Sequence, residues 1–363
     1  MRELLGLKIC FLAASLGQGG AERQLFYSLQ ALRRSGALPR LLCLGHGEFW
    51  EERIKNLGVP VIFAGQAKSK LGRLFQIMVE LRKDPPAIFH SQHFYTSAYV
   101  GVAGRLLRLP AIGSLRSNGI MDVQDSGPIG GWLSLHFPKL ITANSHAAMR
   151  YALERGIAPG RLHFLPNIVD TEKFKPTACR SDSSVRLIII GSLIQCKRFD
   201  RFLSVLARLR KEMKQRITGL IVGAGPLKAQ LERQAQALGL LPSAVEFSGS
   251  VPDVAVLYQT ADICVLTSDF EGTPNVLLEA MASGLAVVAT KIGGVPDIVR
   301  QGENGFVVEP GNEEDLCAAL ASLINNSQLR SEMGQKGRDY VEANHSLKRL
   351  PGMLGDLYQL ALS

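Results

Sequence analysis

Along the whole chain, short apolar runs of strand length alternate with segments of helical period, and this alternation is the signature of parallel β-α-β units. Lys8–Ala14 reads as a first strand, followed by a glycine-rich turn and an amphipathic helix from Ala21 to about Arg34. Strands are expected to continue at Arg40–Leu44, Val61–Ala64, Ala87–Ser91, Ala111–Leu115 and Leu140–Ala143. The polar stretch Asp170–Ser184 then breaks the pattern and reads as a linker. The alternation restarts with strands at Val185–Ile190, Gly219–Val222, Val245–Phe247, Ile263–Leu266 and Ala286–Ala289. From Glu313 onward the chain is mostly helical, ending in a helix over Ser346–Ala361 long enough to reach back to the first half. The expected fold class is therefore α/β: two facing, doubly wound domains at 1–175 and 176–345, with 346–363 as a terminal helix packing toward the first. A chain of 363 residues suits two domains on size alone. Open α/β sheets bind ligands beyond the carboxyl ends of their strands, so facing domains predict a site between them.

Composition narrows the class. With 46% hydrophobic and 20% charged residues the chain can bury a core and shows no bias toward disorder. Its longest apolar runs, Ile9–Ala14 and Leu187–Ile190, fall far short of a bilayer span, and the N-terminal run leads into Gly-Gly-Ala-Glu-Arg, unlike a cleavage site. A cytoplasmic location is expected. The six cysteines are dispersed without close pairs, as reduced thiols would be. Charge is uneven: the first 175 residues hold 22 Lys and Arg against 12 Asp and Glu, and the rest holds 19 against 20. Such asymmetry suggests an anionic partner for the first half, or only a solvated basic face.

Several segments carry chemistry. Gly17-Gln18-Gly19-Gly20-Ala21-Glu22-Arg23 follows the first strand, and Gly19 and Gly20 let backbone amides approach a phosphate at a helix start, or simply form a tight connection. A dinucleotide fingerprint fits poorly, since Glu22 stands where its third glycine belongs. The richest segment is Ser268–Gly284. Thr273 is expected to cap a helix with Pro274 at its first position, leaving the amides of Asn275 and Val276 for an anion. Glu271 and Glu279 suit hydroxyl groups better than phosphate, and phosphates at a helix start with carboxylates beside them match a nucleotide-sugar. Lys197, in the loop after the strand Val185–Ile190, is the expected cation for the diphosphate; otherwise it is a solvated lysine. Gly223-Ala224-Gly225-Pro226 and Phe247-Ser248-Gly249-Ser250-Val251 end two further strands and offer backbone contacts to a nucleotide. In the first domain His93 and Arg116 stand at strand exits, as substrate contacts or structural groups, while His90 alternates inward to the core. No D-x-D, H-E-x-x-H or Cys/His cluster supplies metal ligands, and no P-loop or nucleophile elbow is present.

Taken together, these residues resemble the retaining glycosyltransferases of family 4, which have the GT-B fold. Gly19–Arg23, Pro-Asn-x-Val-Asp at Pro166–Asp170, Lys197, the pair Glu271 and Glu279, Ala280-Met281-Ala282, Gly293-Gly294 and Asn304-Gly305 all match. The resemblance implies a metal-independent, retaining hexosyltransferase that moves a sugar from a nucleoside diphosphate, expected to be UDP, to a hydroxyl acceptor in surface glycan, polysaccharide or glycolipid biosynthesis. No separate cofactor is expected; the nucleotide-sugar is a co-substrate. Lys197, Glu271 and His93 would carry catalysis, with Glu271 on the donor sugar, Glu279 on the ribose and Val251 at the base. Arg116 and His93 stand where members acting on lipid-linked or bacterial surface glycans carry these residues. A lipid-linked acceptor and an anionic membrane surface, with peripheral attachment, become the expected partners in place of nucleic acid. Ser192 departs from the family, which commonly has arginine there, and leaves Arg198 as a substitute contact. The rival expectations are a two-domain nucleotide-sugar epimerase and a silent nucleotide-sugar-binding protein.

Overall fold

The computed structural model describes residues 4–117, 119–177 and 184–363. Asn118, Cys179 and residues 178–183 of the expected linker lie outside the described residues. The chain forms two compact units, 1–168 with 347–363, and 169–346.

The first unit runs β1 (Lys8–Ala13), α1 (Gly20–Arg34), β2 (Leu38–Cys43), α2 (Glu51–Lys55), β3 (Val61–Phe63), α3 (Lys70–Lys83), β4 (Ile88–Ser91), α4 (Phe94–Leu107), β5 (Ala111–Leu115), α5 (Ile120–His136), β6 (Leu140–Ala143), α6 (His146–Glu154) and β7 (Leu162–Phe164). Its seven strands are all parallel, in the order β3-β2-β1-β4-β5-β6-β7. Both faces of a parallel sheet must be covered, so β1 is apolar on every residue after Lys8 and alternates its side chains between two cores. Ile9, Phe11 and Ala13 meet Leu25, Leu29 and Leu32 of α1 on one side. On the other, Cys10 and Leu12 meet Ile77 and Leu81 of α3 and Val100 and Ala103 of α4.

The second unit runs β8 (Ser184–Ile190), α7 (Phe199–Glu212), β9 (Arg216–Val222), α8 (Lys228–Ala237), β10 (Val245–Gly249), α9 (Ala255–Tyr258), β11 (Ile263–Leu266), α10 (Asn275–Ala282), β12 (Ala286–Thr290), α11 (Val295–Ile298), β13 (Phe306–Val308), α12 (Glu313–Asn325) and α13 (Ser327–Asn344). Its six strands are parallel in the order β10-β9-β8-β11-β12-β13. Leu187 and Ile189 face α7 and α12, and Ile188 faces α10. Asn312 and Asn326 start α12 and α13 by accepting the amides of Asp315 and Leu329, which satisfies donors a helix start leaves open.

Two boundaries and two edge strands differ from the sequence expectation. The division falls at 168/169 because Val169 pairs with Ser346 and Phe174 is buried in the second unit's core; Asp170–Lys175 therefore belongs to that unit and is no linker. The terminal helix α14 (Leu350–Leu362) starts after a single 3-10 turn at Leu347–Arg349, and Leu354, Leu357 and Tyr358 pack into the first unit's core with α1. The edge strands β7 and β13 were not expected, since three residues carry too little pattern to read. Among the described residues no helix is long and apolar enough to cross a membrane.

Candidate functional site: two switch-point clusters

In the second sheet β8 lies beside β11, and the chain leaves them in opposite directions, toward β9 and toward β12. This reversal opens a crevice at the carboxyl ends of the two strands. The loops that leave them are tied together: the Asp269 amide donates to the Cys196 carbonyl at 2.7 Å, and the Thr267 hydroxyl lies 3.0 and 2.9 Å from the Lys197 and Arg198 carbonyls. Across this seam Lys197 Nζ donates to Glu271 Oε1 at 2.5 Å, and Ser268 Oγ donates to the same oxygen at 2.8 Å. The two groups expected to act on the donor are thus brought into one pair. Gly293 has φ +48°, and a Cβ there would lie 2.0 Å from the Glu271 carbonyl oxygen. The Gly294 amide donates to the Gly272 carbonyl at 2.7 Å, so the glycine pair fixes the backbone that carries Glu271.

Arg198 does not stand free as a substitute diphosphate contact. Its guanidinium forks onto Asp200 at 3.0 and 2.8 Å and reaches Asp269 at 3.2 Å, and Arg201 takes the other Asp269 oxygen at 2.6 Å. The hydrogen bonds to Asp200, then those to Asp269, hold its proton more tightly than usual. Ser192 is exposed.

The expected capping of α10 is shifted by one residue. Pro274 itself occupies the cap position with ψ 113°, and Asn275 is the first helical residue; an extended ψ at Pro274 leaves Thr273, buried, one step outside the helix. The amides of Asn275 and Val276 still open the helix. Glu279, 2% exposed, lies one turn on, with the Tyr258 hydroxyl 3.1 Å from Oε2 and 3.1 Å from the Val276 carbonyl. Val251 is half-buried against the core that holds Tyr258. Gly225 lies where a Cβ would come within 2.5 Å of the Leu193 carbonyl, so the turn after β9 rests on the loop after β8.

The first sheet has its own switch between β1 and β4, and there the arrangement centres on a residue that sequence reasoning did not assign. Glu22, 8% exposed, accepts from Ser15 Oγ at 2.9 Å and from His93 Nε2 at 3.1 Å. The Ala14 amide donates to His93 Nδ1 at 3.1 Å. With Nδ1 an acceptor, the imidazole proton sits on Nε2 and points at Glu22. Burial opposes ionisation of Glu22, but His93, the backbone and Ser15 together hold its carboxyl below the usual range. Gly19 makes room: a Cβ there would stand 2.2 Å from Glu22 Oε2. Gly20 opens α1. The signal in the sequence was an acid in the first turn of the helix after a glycine-rich loop.

Arg116 does not join that cluster. Its Nη1 donates to Asn167 Oδ1 at 3.3 Å, its Nε is covered with no partner among the described residues, and burial pushes its pKa down to about 10. Asn167 stands in the Pro-Asn-x-Val-Asp motif, yet sequence reasoning gave it no role. His90 is core, as its inward alternation predicts: it stacks on Phe11 at 4.8 Å and meets the Tyr358 hydroxyl through Nδ1 at 3.2 Å.

Comparison with known proteins agrees with these motifs. Residues 18–173 match the description "Glycosyltransferase Family 4" and residues 170–340 match "Glycosyl transferases group 1". An uncharacterized glycosyltransferase of Haemophilus influenzae is 37% identical over 153 residues, which are 42% of this chain and 43% of that protein. An MMP alpha-(1->4)-mannosyltransferase of Mycolicibacterium hassiacum is 30% identical over 231 residues, 62% of this chain and 55% of that one. The chain thus spans about half the length of these relatives. In structure it is similar to HepE of Anabaena, solved in complex with UDP, with a TM-score of 0.85 at 20% identity, covering 97% of this chain and 100% of that one. With both halves matched and two parallel-sheet units of the GT-B type, the chain belongs to the group 1 glycosyltransferases of the family 4 type.

Proposed function

We propose that this protein is a retaining glycosyltransferase that moves a sugar from a UDP-sugar to a hydroxyl acceptor without a metal ion. The observation that carries this reading is the Lys197–Glu271 pair at the switch point of the second sheet. A diphosphate arriving there takes Lys197 Nζ and the opening amides of α10, which releases the Glu271 carboxylate to accept hydroxyl groups of the sugar. Glu279, buried and held on α10, accepts from the ribose. As the bond between the anomeric carbon and the phosphate oxygen breaks, the acceptor oxygen bonds the same face of that carbon, and its proton passes to the leaving phosphate oxygen. Lys197 and the amides stabilise the charge that grows on the leaving diphosphate. UDP as the nucleotide is supported by the HepE complex, and a membrane-held acceptor by the positive charge of the first 175 residues.

The test is incubation with UDP-sugars and a panel of hydroxyl acceptors, followed by NMR of the product's anomeric signal. Transfer with the donor's configuration supports the reading. Inverted product overturns retention, and epimerised sugar released without an acceptor supports the epimerase instead.

A further inference from the structure

We propose that a cleft at the amino ends of β5 and β6 in the first unit binds a phosphomonoester, its phosphate on Arg105, Lys139 and Arg161 and its apolar body against Phe137 and Leu360. The cleft lies at the end of the sheet away from the switch point: Ala111 and Leu140, the first residues of the two strands, line it. The helices α4, α5 and α14 end around it, and the 3-10 turn Pro159–Arg161 contributes Gly160 and Arg161. Its volume of about 650 Å³ is that of a cleft which takes a small organic molecule.

The lining carries three cations and no acidic side chain. Arg105 donates through Nε to the Phe137 carbonyl at 3.2 Å and through Nη2 to the His136 carbonyl at 3.1 Å. Arg161 Nη2 reaches the same His136 oxygen at 2.9 Å and the Pro138 carbonyl at 2.6 Å. Lys139 Nζ donates to the Ala361 carbonyl at 3.0 Å. Two guanidinium groups thus share one oxygen, and burial, then the Arg105 charge, lowers the pKa of Arg161. No carboxylate among the described residues lies within ion-pair distance of any of the three.

The rival account is that these cations only close the carbonyl ends of the helices, and it fails on magnitude. A helix end carries about half a negative charge, so three ends supply roughly half of what three cations need. Donors are left over as well. A guanidinium has N–H groups on all three nitrogens, and Nη1 of Arg105 and of Arg161 meets no acceptor among the described residues. A phosphomonoester brings close to two negative charges and three acceptor oxygens, where a carboxylate would bring one charge. The wall beside the cations is apolar, with Leu109, Phe137 and Leu360, and Arg105 lies 4.2 Å over the Phe137 ring. Gly160 leaves the lining open, since a Cβ there would meet no atom within 4 Å.

The experiment is titration calorimetry of the full chain with phenyl phosphate and with inorganic phosphate. Phenyl phosphate should bind at one site, at least threefold more tightly than inorganic phosphate. Gly160→Glu adds a carboxylate to the lining without disturbing the bonds of the three cations, and should weaken binding at least tenfold; Lys139→Gln should weaken it too. Gly160→Ala and Lys197→Ala should bind like the parent. Gly160 and Lys139 are exposed, and unchanged thermal unfolding checks the fold. Absence of phenyl phosphate binding overturns the proposal, as does a Gly160→Glu variant that binds like the parent. Loss confined to Lys197→Ala overturns it by moving the anion to the second unit, and equal affinity for inorganic phosphate overturns the ester assignment. Binding is read without donor or acceptor, so failure here leaves the transfer reading standing.

Discussion

At the scale of single residues, the arrangement at Lys197 is the most exposed to experiment. Its ammonium meets a charge that grows as the diphosphate leaves, so Lys197→Ala should lower kcat by about 100-fold or more, and Lys197→Arg should recover part of it. Steady-state kinetics with a UDP-sugar measures this; parental turnover would move the task to other groups. Glu279→Ala removes a buried acceptor and should weaken UDP binding by about 1.5–3 kcal/mol in titration calorimetry, with unchanged affinity ruling out the ribose contact. His90 gives a prediction of a different kind. Burial, and then the neighbouring Arg116, push its pKa from 6.5 down to about 3. A histidine depressed in this way is neutral in both folded and unfolded chains above pH 6.5 and contributes no slope there. Below it the unfolded chain binds a proton that the folded one refuses, so stability falls by about 1.4 kcal/mol per pH unit between pH 6 and 4. Denaturant titrations across that range should show a shallower slope for His90→Gln.

At the scale of elements, the strand–turn–helix pattern was legible because parallel strands buried on both faces are uninterrupted apolar runs. Lys197, Glu271 and Glu279 stood out as candidates because the segments that carry them follow such runs. Partners across the sheet were not legible. Glu22 finds His93 across 71 residues, and Arg198 finds Asp269 across a similar span; neither juxtaposition has a local sequence signal. Arg198 in particular looked available because its carboxylate partners stand on a neighbouring helix and a distant loop. The Thr273–Pro274 start of α10 slipped by one position because proline fixes φ and leaves ψ open. The glycine pair after β12 belongs to this scale too. Gly293→Ala forces a Cβ into the Glu271 carbonyl at a positive φ, which should cost more than about 1 kcal/mol and displace Glu271. A lowered Tm together with weaker binding of UDP-sugar, but not of UDP, is the expected signature; a parental Tm would show that the loop after β11 yields freely.

At the scale of the whole molecule, the first unit is built from two separated stretches of chain. Ending the chain at Arg349 removes Leu350, Leu354, Leu357 and Tyr358 from its core, each worth about 1.5–3 kcal/mol of burial, which together exceed the margin of an ordinary domain. Calorimetry of that truncation should lose the first unit's transition. The second unit's transition should persist and still rise with UDP, by about 2.7 kcal/mol at 100 times Kd; loss of both would mean the units do not fold independently. The position of α14 also sets an order in time. Domains generally fold as they leave the ribosome, the earlier first, but here the first unit's earlier stretch lacks its covering helix until α14 has also emerged. Residues 169–346 can close their core while Phe11, Leu25 and Leu29 still wait for Leu354 and Tyr358. The unit whose synthesis begins earlier is therefore the one whose core closes later, and during that interval its bare apolar surface is what a nascent-chain chaperone would meet.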